Sequence, residues 1–263
     1  MRRLCIALIY MACSATARES FALPTPSARY NFDDGAPEAT DVSGNLNTGV
    51  FVGGASYQGG SNIAPLLCNV DSLKLNGGGF VSVPNSSSIG FAGSFAISAW
   101  VSLDSNKQEN NVLSKDTSAW YSNYNLHIFN NHVTLAVSFD QPWSVGTSSQ
   151  GYAWCDNGGC GTSGRSNFVD AAHPLGTWRH VAAVYDDTTK KMIVYLDGVR
   201  DGEAAFNTTG HPRTNTETLQ LGRRKAYNSA LAGRLDDIRL FPAALQGDQI
   251  AELLFCPQQC GGL

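Results

Sequence analysis

The chain has 263 residues, 18 basic against 22 acidic side chains for a formal net charge of −4, and 27 glycines among 43% hydrophobic residues. That balance excludes a phosphate-backbone binder, which needs a basic face. Past the first residues no stretch approaches the roughly 18 apolar positions of a membrane-spanning helix, and no Pro- or Gln-rich linker divides the chain, so a single domain is expected.

The opening residues, MRRLCIALIYMACSATA, set two arginines before a short apolar run and then small residues, the layout of a secretory signal peptide. Cleavage after Ala17 or after Ala22 fits, and a lipid-modified Cys13 is disfavoured by Tyr10. The expected division is therefore a signal peptide over 1–22 and one domain over 23–263, secreted or extracytoplasmic. Loss of Arg2, Arg3, Arg18 and Glu19 leaves 15 basic and 21 acidic side chains, net −6, which makes nucleic acid a poor partner. Five cysteines remain. In an oxidising compartment Cys155 with Cys160 and Cys256 with Cys260 suggest bridges, but a pairing of Cys68 with a tail cysteine satisfies the same arithmetic, so connectivity stays open. Their spacing matches no familiar zinc module.

In 94–103 (SFAISAWVSL) Phe95, Ile97, Ala99, Val101 and Leu103 share one strand face and Trp100 stands on the other. In 133–139 Val133, Leu135, Val137 and Phe139 alternate with Thr134, Ala136 and Ser138, which predicts a strand with one buried face. Asp197-Gly198 lies between the strand-like runs 191–197 and 199–206 and supplies the positive φ angles of a tight hairpin. Residues 243–255 are the exception, a short helix with Leu245, Ile250, Leu253 and Leu254 on one side. Many short strands between glycine-rich turns predict an all-β, two-sheet antiparallel sandwich.

A series of strings in one order, YNFDD (30–34), DVSGNLNTGVFVGGASY (41–57), LKLNGGGFVSVPNSSS (73–88), SFAISAWVSL, NVLSK (111–115), TWRHVAAVYD (177–186), YLDGV (195–199), LQLGRR (219–224) and GRLDDIRLF (233–241), resembles the LamG-like jelly-roll family of the concanavalin A-like group. The resemblance implies a jelly roll of two antiparallel sheets with a short C-terminal helix, and a domain that usually binds rather than transforms its partner. It also implies a calcium ion at Asp236 with Asp33 or Asp34, against the plainer reading that these carboxylates cap strand ends or pair with Arg234 or Arg239. Residues 140–170, an insertion rich in Gly, Ser and aromatics, depart from the family pattern.

Glycosidases on related jelly rolls place two carboxylates across a cleft, and the five Glu that follow the signal, Glu38, Glu109, Glu203, Glu217 and Glu252, form no alternating acidic run. No G-x-S-x-G elbow occurs. No enzyme is expected. A pyranose offers an apolar face edged by hydroxyls, which suits aromatic rings set among amides and carboxylates. Trp120, Tyr121 and Tyr124 in one loop-like stretch, and Trp143, Tyr152 and Trp154 in the insertion, are the candidate rings. The same rings also suit loops that pack onto the sandwich. The expected function is a secreted module binding a glycan or glycosylated surface; the rival is a protein-interaction or adhesion module without a sugar site, and a glycoside hydrolase is the weakest alternative.

Overall fold

The computed structural model describes residues 22–60, 63–66, 69–117, 121–156 and 159–254. The leader expected over 1–22, apart from Ala22, lies outside them, as do Cys68, Trp120, Cys256 and Cys260. In chain order the strands are β1 (Ala28–Tyr30), β2 (Val50–Val52), β3 (Ser56–Gly59), β4 (Asp71–Asn76), β5 (Phe80–Val83), β6 (Phe95–Leu103), β7 (Glu109–Asp116), β8 (Ser122–Phe129), β9 (His132–Val137) and β10 (Ser144–Gln150). They continue as β11 (Tyr152–Asp156), β12 (Gly159–Ser163), β13 (Trp178–Asp186), β14 (Lys191–Leu196), β15 (Val199–Asn207), β16 (Leu219–Leu221), β17 (Arg223–Arg224), β18 (Ser229–Ala230) and β19 (Ala232–Phe241), and helix α1 spans Gly247–Glu252.

Two antiparallel sheets face each other, as the alternating pattern requires. One runs β10-β15-β14-β13-β6-β19-β4-β3, with β1 also on β19; the other runs β11-β12-β9-β8-β7-β16-β5-β2. Phe95, Ile97, Ala99 and Val101 from β6 meet Leu126, Ile128, Val133 and Leu135 from β8 and β9 in one core. The hairpin turn is as expected: Asp197 and Gly198 carry φ of 50° and 76° between β14 and β15. Helix α1 lays Ile250, with Leu245 and Leu253 beside it, on Ala96, Ala182, Val184 and Tyr195, covering part of the outer face of the nine-stranded sheet.

The insertion 140–170 is built into the sheets: β10 extends one, and β11 and β12 extend the other. One expected ligand ring needs correction. Residues 122–125 belong to β8, so Tyr124 is wholly buried among Phe91 and Phe95, with its hydroxyl donating to Ile89 O at 2.8 Å, and it is no ligand ring. In β19 a bulge between Asp236 and Arg239 turns the backbone through φ 39° at Asp237, and both Asp236 and Asp237 are buried.

Candidate functional site: an aromatic ridge over a polar sheet face

Strand register carries one row of side chains across the outer face of the eight-stranded sheet. Trp154 lies opposite Gly161, then come Ala136, Asn125, Ser114 and Gln220. The next row is Tyr152, Ser163, Thr134, His127 and Asn111. Gly161 is what admits the indole: a Cβ there would stand 2.4 Å from Cζ2 of Trp154. The ring therefore rests on bare backbone, with one face against the sheet. The Cys155–Cys160 bridge, one of the expected pairs, joins directly opposed residues of β11 and β12 beside this contact and ties the edge hairpin that presents Trp154 and Tyr152.

Beneath the ridge lies a cleft of about 580 Å³ lined by Gln108, Glu109, His127, Arg224 and the rings of Phe129, Tyr152, Trp154 and Tyr227. Tyr152 is 66% exposed, Tyr227 42% and Phe129 37%. The floor is held by charge. His127 Nδ1 lies 3.1 Å from Glu109 Oε1 and 2.9 Å from Asn125 Nδ2, and Arg224 Nη1 donates to the same Glu109 oxygen at 3.3 Å. Burial alone would raise Glu109, but its hydrogen bond and charge interaction with His127, and then the charge of Arg224, bring it down to about 2. Burial lowers His127 against the opposing pull of Glu109. Nε2 of His127, and Oδ1 of Asn111 and of Asn125 in the same rows, are buried with no hydrogen-bond partner among the described residues.

Of the rings expected to bind, Tyr152 and Trp154 converge on this cleft. Trp143 does not: half-buried against the core, it borders a separate shallow groove with Asp140, Gln141, Pro142 and Arg213. Tyr121 lies under Arg213, whose guanidinium carbon is 4.7 Å from the ring centre. Trp120 is outside the described residues. Sequence reasoning missed Glu109, His127, Phe129, Arg224 and Tyr227 as site residues. One signal was available in SNYNLHIF (122–129), where Asn123, Asn125 and His127 alternate with Tyr124, Leu126 and Ile128.

The aspartates expected to hold calcium do not fit that role. Asp236 is wholly buried, and its oxygens accept from Ala64 N, Asn69 Nδ2 and Asp237 N. Asp33 accepts from Val70 N, Asp71 N and Asn31 Nδ2, and Asp34 from Ala36 N and the Tyr57 hydroxyl. Oxygens already engaged by N–H and O–H donors are not arranged as the six or more ligands of a hard cation. Among the described residues no group of three His, Cys, Asp or Glu side chains is placed to hold a metal ion. The arginine pairing falls elsewhere: Asp237 bonds Arg29 and Arg239, and Arg234 bonds Asp104.

The two-sheet order and the LamG-like strings agree with a match to the Laminin_G_3 family model, of the concanavalin A-like lectin/glucanases superfamily, over residues 75–251. The chain belongs to this family. Among curated proteins, this LamG-like chain is 28% identical over 93 residues to pentraxin-related protein PTX3 of Bos taurus, a match covering 32% of the chain and 24% of that protein. Among solved structures it is similar to domain 4 of AbnA, a GH43 extracellular arabinanase from Geobacillus stearothermophilus, in complex with arabinotriose, with TM-score 0.61 and 18% identity over 88% of this chain and 98% of that one. It is also similar to the botulinum neurotoxin serotype D ligand-binding domain in complex with N-acetylneuraminic acid, with TM-score 0.57 and 12% identity over 88% of this chain and 50% of that one. The LamG-like chain thus spans half of the toxin domain and about a quarter of the pentraxin-related protein, and at these identities the structural likeness speaks for the fold. No described helix is long and apolar enough to cross a membrane.

Proposed function

We propose that this LamG-like protein is an exported, non-catalytic carbohydrate-binding module that takes a glycan in the cleft beneath Trp154. One observation carries the reading: an indole seated on Gly161 beside exposed rings, over a cleft whose polar lining is Gln108, Glu109, His127 and Arg224. A sugar ring stacks on the aromatic side and its hydroxyls hydrogen-bond to the polar side. The solved complexes of similar fold with arabinotriose and with N-acetylneuraminic acid support a saccharide as the ligand class. Catalysis is not part of the reading. Glycoside hydrolysis needs an acid whose pKa is raised, whereas Glu109, the carboxylate among the cleft's described lining, is pushed the other way and committed to His127 and Arg224. Export is supported by the signal-like leader and by the Cys155–Cys160 bridge, which persists in oxidising compartments.

The test is a glycan array followed by titration calorimetry on the best ligand, with wild type and Trp154→Ala side by side. Removing the indole is expected to weaken binding by about 1–2 kcal/mol with the melting temperature nearly unchanged, because the ring lies over the sheet rather than in the core. If Trp154→Ala binds as wild type does, the site is elsewhere. If wild type binds no glycan, the protein-interaction reading takes its place.

A further inference from the structure

Phe129, Tyr152 and Trp154 also border a second depression of about 470 Å³, which His132, Ser163 and Arg165 help to line. The ridge therefore stands between two hollows, and their charges differ. In the cleft, Arg224 is matched: Glu109 lies 3.3 Å away and Asp116 3.5 Å away. In the second hollow, Arg165 is exposed, and among the described residues neither an ion pair nor a hydrogen bond engages its guanidinium. Asp201, whose backbone carbonyl accepts from Arg165 N, turns its carboxylate instead to Ser166 N at 3.0 Å and Ser166 Oγ at 2.6 Å. His132 Nδ1–H donates to Ser166 O at 3.1 Å, leaving Nε2 for a ligand hydroxyl.

We infer that Arg165 is an anion subsite: the ligand is an acidic oligosaccharide that straddles the aromatic ridge, its carboxylate or sulfate on Arg165 and a neutral sugar unit over Glu109 and His127. This rests on the reading of the cleft as a glycan site. The physical reason is one of availability. A guanidinium already bracketed by two carboxylates has little attraction left for an incoming anion, whereas an unpaired one makes a charge-assisted, bidentate contact. Arg165 side by side with stacking rings also matches the two needs of an acidic pyranose, a flat apolar face and a counter-charge at its rim.

Calorimetry with matched oligosaccharides that differ in one carboxylate, and a second pair that differ in one sulfate, tests this. The acidic member of at least one pair is expected to bind roughly five- to tenfold more tightly than its neutral counterpart, the range of a partly exposed charged contact. The preference should shrink at about 0.5 M salt, where the screening length falls to a few ångströms. Arg165→Gln is expected to bring both members to equal affinity without lowering the melting temperature. Equal binding of acidic and neutral members by wild type in both pairs overturns the inference and leaves the glycan reading standing, as does a preference that survives in Arg165→Gln. Failure of wild type to bind any member removes both.

Discussion

The two sheets carry on their outer faces nearly the same inventory, a tryptophan, a histidine and a carboxylate on neighbouring strands, and put it to opposite uses. On the nine-stranded sheet His180, Trp100 and Asp236 form one cross-strand row. All three are buried: His180 meets the indole edge-on at 5.5 Å between ring centres and is lowered to about 4 by burial, while Asp236 receives N–H donors from the segment around Ala64 and Asn69. On the eight-stranded sheet Trp154, His127 and Glu109 surround an open cleft. A tryptophan beside a histidine is therefore no mark of a site. What decides is whether another segment lies over the row, and whether the ring rests on a glycine, which leaves its other side to solvent, or among larger side chains.

Removing the sealed ring is the strongest way to test this contrast. Trp100→Ala is expected to cost about 3–5 kcal/mol of stability, the usual range for a buried aromatic, and to leave glycan affinity unchanged where the variant is folded. Chemical denaturation read beside calorimetry checks it, and a variant that loses binding at full stability would erase the distinction between the faces.

The carboxylates separate next. Burial raises Asp236 to about 8 despite its three N–H donors. A carboxyl whose folded pKa lies above its unfolded value favours the fold in its protonated form, so its contribution is full below about pH 4 and is lost as pH rises through about 8. Wild type is expected to lose up to about 1.4 kcal/mol per pH unit between about pH 6 and pH 8 relative to Asp236→Asn, in which this slope is removed. Parallel melting-temperature profiles of the two proteins would refute it.

On the open face, the edge hairpin is held by one bridge between residues five apart. Cys155→Ser with Cys160→Ser should cost roughly 2 kcal/mol by the loop-closure argument and weaken glycan binding, because β11 carries the ridge. Proteolysis cutting first within β10–β12, with the remaining strands protected, is the expected readout; simultaneous loss of the whole sandwich would argue that the hairpin is part of the cooperative core. The smallest and most local change is Gly161→Val. Its side chain displaces the indole, so affinity should fall by about 1–2 kcal/mol, as for Trp154→Ala, and the double variant should lose no more than either alone. Additive losses would show that Gly161 acts through something other than Trp154.

Period-two alternation made 94–103 and 133–139 legible as strands, Asp197-Gly198 named its own turn, and the close pair Cys155 and Cys160 suggested a bridge that the fold contains. These are local matters, set by side-chain parity and backbone sterics over a few residues. Which aromatic residues meet was not local. Tyr124 and Tyr152 read alike in the chain, yet one residue of parity on β8 sends Tyr124 into the core, while an edge strand leaves Tyr152 in solvent. Glu109 and Arg224 are 115 residues apart and His127 is 18 from Glu109; only the register of β7 with β8 and the return of the chain through β17 bring them together. Sequence alone determined that this protein is a LamG-like sandwich with an aromatic insertion. The tertiary structure decided which face is sealed and which is open, because exposure depends on what other segments lie across a sheet, and no periodicity within a strand encodes that.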